Sequence, residues 1–334
     1  MKHKVEQLTR LYFHLLPSPK RSQGMTLTEL LVAVFAGGII ISTLLAQTVD
    51  FLKINQKDSA QANTQQEMRN ALTYISRDLR EAVYVYDGTE LATLEDYLPD
   101  FGSNRKPILA FWKIERVPYI DDSDAKYQLP GDCENDTLTD NNSDGDLDEE
   151  RTACESLKIE RTTYTLITYI QNTTAPTAND VWQGQSRLER FELRKYKADE
   201  LNKLTRTTGY IDPRLESTFD NWPNDPITLS SLQSNLPTDT AETLADFVAA
   251  HNDSSITASS CPTDYTRTPT DSNYKSFYAC VRSSTADKAM NQDAILYLTG
   301  NAYGQSGILD ENAYVPQLET QVISRGVIDK NPTN

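Results

Sequence analysis

The sequence predicts an α+β protein, in which a long amino-terminal helix with a membrane-spanning first half packs on a globular head built on an antiparallel β-sheet. Three observations predict this fold class. An uncharged run of 20 residues extends from Leu30 to Val49. Helical periodicity continues beyond that run. The rest of the chain alternates polar turns with segments rich in β-branched and aromatic residues.

The amino-terminal segment and the rest of the chain carry opposite charges. Residues 1–24 have a net charge of +4, and the whole chain has −16, so residues 25–334 carry −20. A strongly acidic body repels phosphate backbones, and no basic patch stands out. We therefore expect no nucleic-acid partner.

The uncharged run is long enough to cross a bilayer. A helix of 20 residues extends roughly 30 Å, which is the thickness of one hydrocarbon core. A secretory signal peptide usually has a shorter apolar core that precedes its cleavage site. We therefore predict a transmembrane segment over 30–49 in contact with membrane lipid, and the positive-inside rule places the basic amino terminus in the cytoplasm.

Beyond Asp50 the helical pattern becomes amphipathic. Neither Pro nor Gly occurs between Asp50 and Asp87. Apolar residues recur at spacings of three and four in Met68, Leu72, Ile75, Leu79 and Val83. This spacing predicts one helix over 25–83 whose second half packs an apolar stripe on the rest of the chain.

The head, residues 84–334, is predicted from strand-like segments bounded by turn formers. These segments are "PILAFWKIERV" from Pro107, "LKIERTTYTLITYI" from Leu157, "RLERFELRKY" from Arg187, "YKSFYACVRSS" from Tyr274 and "DAILYLTGNAYG" from Asp293. Charged residues alternate with Phe191 and Leu193, which predicts a half-buried strand with a solvated face. The polar stretch from Thr205 to Thr270 predicts mostly surface loop, with "AETLADFVAAHN" as its helix or strand candidate.

The start of the helix is similar to a known processing motif. The sequence "GMTLTELLVAV", from Gly24 to Val34, resembles the prepilin cleavage and methylation motif of type IV pilins and type II secretion pseudopilins. The resemblance implies that prepilin peptidase cuts after Gly24, which makes 1–24 a leader peptide, and methylates the new terminus at Met25. Glu29 then becomes the fifth mature residue and is expected to meet the terminal amine of a neighbouring subunit during filament assembly.

Glu29 needs compensation because a carboxylate beside a membrane-spanning run is costly. Cleavage after Gly24 creates a cationic amine at Met25, four residues from Glu29. The helix dipole also favours a negative charge in the first turn. The alternative is an ordinary single-pass anchor that happens to contain Glu29.

The later sequence narrows the branch of this family. The segments "ALTYISRDLREAVYVYD" and "RLERFELRKY" are similar to larger minor pilins and J-type pseudopilins. The segments "CPTDYTRTPTDSNYKSFYACV" and "AILYLTGNA" are similar to the pseudopilin branch associated with hormogonium polysaccharide secretion. The resemblance implies a pilin-like fold, other pilins or pseudopilins and an inner-membrane assembly platform as partners, and a location in the inner membrane followed by a periplasmic or extracellular filament.

Two other classes of function stay open. A membrane-anchored exported binding protein, such as an adhesin or a carbohydrate-binding head, needs an anchor but no cut after Gly24. An exported enzyme fits less well because no nucleophile and base pair stands out, and His251 in "AAHNDSS" is the one histidine after the leader. We therefore predict a structural rather than an enzymatic function, serving secretion or motility.

The four cysteines predict disulfides. Cys133, Cys154, Cys261 and Cys280 all lie in the part expected to be exported, where thiols oxidise. Three connectivities are possible, and the local one, which joins the first to the second and the third to the fourth, closes two polar loops of modest length. A zinc site is not indicated because the chain has no CxxC spacing.

The acidic stretch "DNNSDGDLDEER", from Asp140 to Arg151, predicts a calcium loop of the EF-hand or dockerin kind. Carboxylate and amide oxygens alternate, and Gly145 allows the tight turn. The candidate ligands are Asp140, Asn142, Asp144, Asp146, Asp148 and Glu150. Arg151 stands at the twelfth position, where a bidentate Glu is usual, so Asp148, Glu149 or Glu150 would have to substitute. A solvated acidic loop is the alternative.

Overall fold

The computed structural model describes residues 25–134, 137–177, 179–282, 292–305, 308 and 312–324. The chain forms two compact units, Met1–Asn55 and Gln56–Asn334. Helix α1, Leu27–Arg80, contributes residues to both units. The predicted leader peptide, 1–24, lies outside the described residues.

The described part of the first unit is the apolar beginning of α1. Within the described ranges this is the one helix long and apolar enough to cross a membrane, with an 18-residue window of mean hydropathy 2.2 in which no residue is buried. Its hydroxyl groups donate to the helix backbone: Ser42 to the Gly38 carbonyl at 2.7 Å and Thr48 to the Leu44 carbonyl at 2.8 Å. Lipid offers no hydrogen-bond partners, so these internal bonds suit it. The unit is compatible with a single-pass membrane anchor.

From Gln56 onward α1 buries one face in the second unit. Met68, Ile75 and Leu79 are almost wholly inaccessible to solvent, as their spacing predicted. The helix ends at Arg80, earlier than predicted, and Val83 lies in strand β1, Ala82–Val85. The helix ends early because the β-branched and aromatic residues of "AVYV" favour an extended backbone.

The described residues of the second unit include two further α-helices, α2 at Gly88–Leu94 and α3 at Asp148–Glu160. Its other strands are β2 Arg105–Arg116, β3 Thr162–Asn172, β4 Ser186–Leu193, β5 Glu242–Val248, β6 Tyr265–Thr268, β7 Phe277–Arg282, β8 Asp293–Leu298 and β9 Leu318–Ile323. Three short 3₁₀ helices occupy Glu95–Tyr97, Ala125–Tyr127 and Ala198–Lys203.

The strands form two antiparallel sheets, where the sequence predicted one. The first sheet has the order β1-β2-β3-β4-β5 and the second has the order β6-β7-β8-β9. Within each sheet, every pair of neighbouring strands is antiparallel. The register is irregular at several points in the first sheet. The predicted α+β class is therefore correct, but the prediction of a single sheet is wrong.

One segment prediction needs correction, and another holds. Leu157–Glu160 was predicted to begin a strand, but it is the last turn of α3, which ends at Arg161 in the left-handed region with φ 51°. The stretch from Thr205 to Thr270 is mostly loop outside strands β5 and β6, as the sequence predicts, although Tyr210 and Trp222 within it are buried. Its candidate segment "AETLADFVAAHN" contains strand β5.

The main core lies between α1 and both sheets. It draws on α1 and on strands of both sheets, and its large members include Met68, Ile75, Phe111, Tyr169, Phe277 and Leu296. A second cluster occupies the other face of the first sheet, since adjacent strand residues point to opposite faces. This cluster is rich in aromatic rings and includes Tyr86, Trp112, Phe191, Tyr210 and Trp222.

Candidate functional site

The first turn of α1 is capped by two side chains that bond reciprocally. The Thr26 backbone N–H donates to Glu29 Oε2 at 3.1 Å, and the Glu29 backbone N–H donates to Thr26 Oγ1 at 3.3 Å. The Thr26 hydroxyl also donates to Glu29 Oε2, at 3.0 Å. This arrangement is a capping box, which satisfies backbone donors that have no partner in the first turn.

Of the three site residues predicted at the amino terminus, Gly24, Met25 and Glu29, the last two lie at the capping box. Met25 directly precedes the cap and is exposed, and Glu29 is in the first turn. Gly24 lies outside the described residues. Thr26 is not among the residues predicted from the sequence, although the spacing T-x-x-E before an apolar run is the signal that identifies such a cap.

One buried carboxylate fastens the carboxyl end of α1 to the first sheet. Asp78 pairs with Lys113 at 2.8 Å and with Arg190 at 2.9 Å, and the Tyr169 hydroxyl donates to it at 2.8 Å. Burial alone would raise the pKa of Asp78, but the two cations outweigh burial and hold that pKa below its ordinary value. The charged face of β4 is therefore covered by α1 at this point rather than solvated.

A second carboxylate of α1 reaches the edge of the first sheet. Glu67 Oε1 accepts the backbone N–H of Asp246 at 2.6 Å, while the Asp246 carboxylate accepts the N–H groups of Gln183 and Gly184. Burial raises the pKa of Glu67, and the negative charge of Asp246 raises it further, against the effect of the backbone hydrogen bond. Burial and the neighbouring charge therefore favour the protonated form of Glu67, and the hydrogen bond opposes them.

The four cysteines form two disulfides, Cys133–Cys154 and Cys261–Cys280. This is the local connectivity among the three possible ones. The first disulfide joins the segment before the acidic stretch to helix α3, and it packs in a small apolar cluster with Leu138, Leu157 and Tyr196. The second lies beside the stacked rings of Tyr278 and Tyr297.

The acidic stretch is a loop held by its own carboxylates. Asp140 accepts the backbone N–H groups of Ser143 at 2.6 Å and Gly145 at 2.9 Å. Gly145 has φ +83°, the left-handed backbone that glycine adopts without strain. Further along, Asp144 accepts the N–H of Asp146, and Asp146 accepts the N–H of Asp148. The loop then enters α3 at Asp148.

The predicted metal ligands do not all converge. Across the described ranges, no group of three or more Asp, Glu, His or Cys side chains is close enough to hold an ion. Asn142 is the meeting point of two carboxylates, since its Nδ2 donates to Asp144 at 2.9 Å and to Glu149 at 3.4 Å. Asp148 instead pairs with Arg151 at 3.1 Å. Calcium binding stays a prediction.

Asn141 and Glu150 join the two ends of this loop, and the sequence analysis did not assign a role to Asn141. The Asn141 backbone N–H donates to Glu150 Oε1 at 3.0 Å. Its side-chain amide donates to the Leu204 carbonyl at 3.0 Å and accepts the Arg206 N–H at 2.7 Å. The loop is thereby anchored both to α3 and to the chain that follows β4.

A groove runs beside the loop, between α3 and residues 195–216. It comprises one cavity of about 700 Å³ and a neighbouring one of about 250 Å³. Both cavities are lined by Glu149, Ala153, Lys195, Tyr196, Asp212 and Leu215. The groove thus offers hydroxyl, carboxylate and ammonium groups beside apolar side chains.

No family model, no curated protein and no solved structure matches this chain. The architecture of the chain defines only a broad structural class. The described residues form an α+β chain with one apolar helix compatible with a single-pass anchor, two antiparallel sheets and two disulfides.

Proposed function

We propose that this chain is a minor pilin or pseudopilin, a structural subunit of a type IV pilus or a type II secretion-like filament. The observation that carries the proposal is the sequence from Gly24 to Glu29, which leads into a helix whose first half exposes its apolar residues. In this proposal the partners are prepilin peptidase, other pilins or pseudopilins, the inner-membrane assembly platform and membrane lipid.

The proposed pathway begins with insertion of the apolar helix into the inner membrane. The basic residues before Gly24 stay in the cytoplasm and the acidic body crosses. Two disulfides in the second unit support this direction, because disulfides persist in oxidising compartments. Prepilin peptidase then removes residues 1–24 and methylates Met25, and the mature chain enters a filament in the periplasm or outside the cell.

Glu29 has a role at each stage of this proposal. Before cleavage it closes the capping box with Thr26 and so orders the start of the helix. After cleavage the new amine at Met25 supplies a positive charge near it. A pair of opposite charges in lipid is favoured because the alternative is an unpaired buried charge. Glu29 thus selects for docking with a neighbouring subunit, whereas Leu30 to Val49 supply unspecific apolar packing.

The alternative function is a membrane-anchored binding protein or adhesin. The groove beside α3 favours it, because concave sites with a few polar groups are where ligands usually bind. The two functions differ in one step, since an anchored binder needs no cleavage after Gly24.

Intact-mass spectrometry of the purified protein tests this difference. We expect the native chain to lack residues 1–24 and to carry one methyl group on Met25. Gly24→Leu should keep its leader, because bulk at the scissile bond blocks the peptidase, while the control Gln23→Leu, with the same change one residue earlier, should mature normally. A full-length native chain, or a Gly24→Leu chain that matures, would refute the proposal.

A further inference from the structure

The buried carboxylate Glu150 has an oxygen without a partner. Glu150 is 7% exposed, and its Oε1 accepts the Asn141 N–H. Its Oε2 is inaccessible to solvent and has no hydrogen-bond partner among the described residues. Burying a charged oxygen in this way is costly unless a cation or a donor compensates it. This oxygen is therefore a site where a cation or a hydrogen-bond donor would be stabilising.

The neighbouring basic side chains form ion pairs elsewhere. Lys195 pairs with Asp212 at 2.8 Å and Arg206 pairs with Glu216 at 2.8 Å. Arg151, the next residue along α3, pairs with Asp148 at 3.1 Å. Among the described residues, none of these three cations pairs with Glu150. A cation from outside the chain would supply the charge that these three side chains do not.

The loop that leads to Glu150 is rich in oxygen donors. Six carboxylates lie between Asp140 and Glu150, with the Asn142 amide among them. Oxygen donors of this kind suit hard cations, and calcium accepts irregular sets of six to eight oxygens more readily than magnesium, which demands near-ideal octahedral geometry. Calcium is therefore the cation that this loop fits.

We propose that the loop from Asp140 to Glu150 binds one calcium ion and that Glu150 supplies the carboxylate expected one residue later in an EF-hand loop. Glu150 enters from the first turn of α3 and is tied to the beginning of the loop through Asn141. Arg151 cannot serve, because it is cationic. The inference is independent of the filament function.

The proposal also specifies a weak site. Both oxygens of Asp140 accept backbone N–H groups. The exposed Asp144 and Asp146 side chains must turn toward Glu150 before the ligands converge. Such reorganisation reduces affinity, so we expect a Kd of about 10⁻⁴ to 10⁻³ M, the range of extracellular calcium modules.

The test is isothermal titration calorimetry of the full chain in detergent micelles with calcium chloride. The wild-type chain should bind one calcium ion. Glu150→Gln keeps an acceptor for the Asn141 N–H but removes the charge, and it should raise the Kd at least about tenfold, the scale on which supporting carboxylates act at metal sites. The matched control Glu155→Gln, on the exposed face of the same helix, should bind like wild type.

A thermal melt measures a second quantity, the change in Tm caused by calcium. If Glu150 had only a structural role, its substitution would not alter this change. Calcium should raise the Tm of wild type and of Glu155→Gln by a few degrees and leave the Tm of Glu150→Gln unchanged. Asp144→Asn, an exposed loop change, provides a second variant that should also lose the rise even if Glu150→Gln fails to fold. Absence of saturable binding up to about ten times the upper Kd limit would overturn the proposal, as would equal weakening by Glu155→Gln, which would indicate unspecific attraction to an acidic surface.

Discussion

Thr26 and Glu29 bond to each other's backbone at the start of α1, through N–H donors 3.1 Å and 3.3 Å from the accepting side-chain oxygens. The same glutamate is the fifth residue after the proposed cut. A single carboxylate thus has two separable properties, a hydrogen-bond acceptor that orders the first turn and a negative charge that is free to attract a cation after cleavage.

Thr26→Val separates the acceptor role from the charge. The change removes the hydroxyl that accepts the Glu29 N–H, and loss of such a cap costs about 1 kcal/mol. We expect amide hydrogen exchange to accelerate about fivefold in the first turn, while cleavage and filament entry stay close to wild type because Glu29 keeps its charge. Thr26→Ser, which retains the hydroxyl, is the control. Loss of filament entry in Thr26→Val alone would assign the docking role to the cap.

Asp78→Asn should destabilise the second unit strongly. The substitution leaves Lys113 and Arg190 buried without their shared counter-charge, and breaking a buried pair from one side costs about 3 kcal/mol or more. Chemical denaturation measures the loss. Asp58→Asn, an exposed change on the same helix, should stay within about 0.5 kcal/mol of wild type. Similar unfolding midpoints for the two variants would show that the Asp78 cluster contributes little.

The same cluster should make the second unit acid-sensitive. The folded pKa of Asp78 is lower than its unfolded value, so its stabilisation is fully present above the unfolded pKa of about 3.8 and is lost as pH falls through the folded pKa. The free energy of unfolding, measured by denaturation between pH 7 and pH 2, should therefore fall more steeply with decreasing pH for wild type than for Asp78→Asn at the acid end. Parallel curves for the two proteins would contradict this cause.

Glu67 should act with the opposite sign. Its folded pKa is raised, so its contribution to stability is present in the protonated form, below the unfolded pKa, and is lost as pH rises through the folded pKa. Glu67→Gln keeps an oxygen for the Asp246 N–H and removes the charge. We expect this variant to be more stable than wild type at pH 7 and to lose that advantage in acid. A variant less stable than wild type at pH 7 would show that the ionised carboxylate is the favoured partner.

Gly300→Ala tests the close approach of α1 to the chain after β8. A Cβ atom at Gly300 would lie 2.8 Å from the side chains of both Thr64 and Met68. Overpacking of this kind costs about 1–3 kcal/mol, which denaturation of the purified chain would measure. Gly37→Ala, where nothing lies within 4 Å of the added Cβ, is the control. Equal stability of the two variants would argue against this packing.

The helical and strand patterns were predictable where burial has a regular period. The stripe of Met68, Leu72, Ile75 and Leu79 repeats with the turn of the helix, and Phe191 and Leu193 alternate as a half-buried strand requires. Periodicity predicts which face is buried. It does not reveal which strands pair, so the division into two sheets could not be derived.

The errors arose where local composition and tertiary packing disagree. Ile159 and the residues after it favour a strand, but α3 continues to Glu160 and stops only at Arg161. The burial of Tyr210 and Trp222 was also not predictable, because both lie in a polar loop stretch and yet cover the aromatic face of the first sheet. The ion-pair cluster at Asp78 could not be predicted from the sequence, because its partners, Lys113 and Arg190, are distant in sequence.

Sheared filament fractions test the proposed filament role most directly. Quantitative immunoblotting should detect the mature wild-type chain in these fractions and should not detect it when prepilin peptidase is deleted. Glu29→Gln keeps an acceptor for the Thr26 N–H but removes the charge, so it should be inserted and cleaved normally yet be strongly depleted from the fractions. Glu29→Gln present at the wild-type level would show that the charge has no role in assembly, and absence of the wild-type chain from filaments would contradict the proposed function itself.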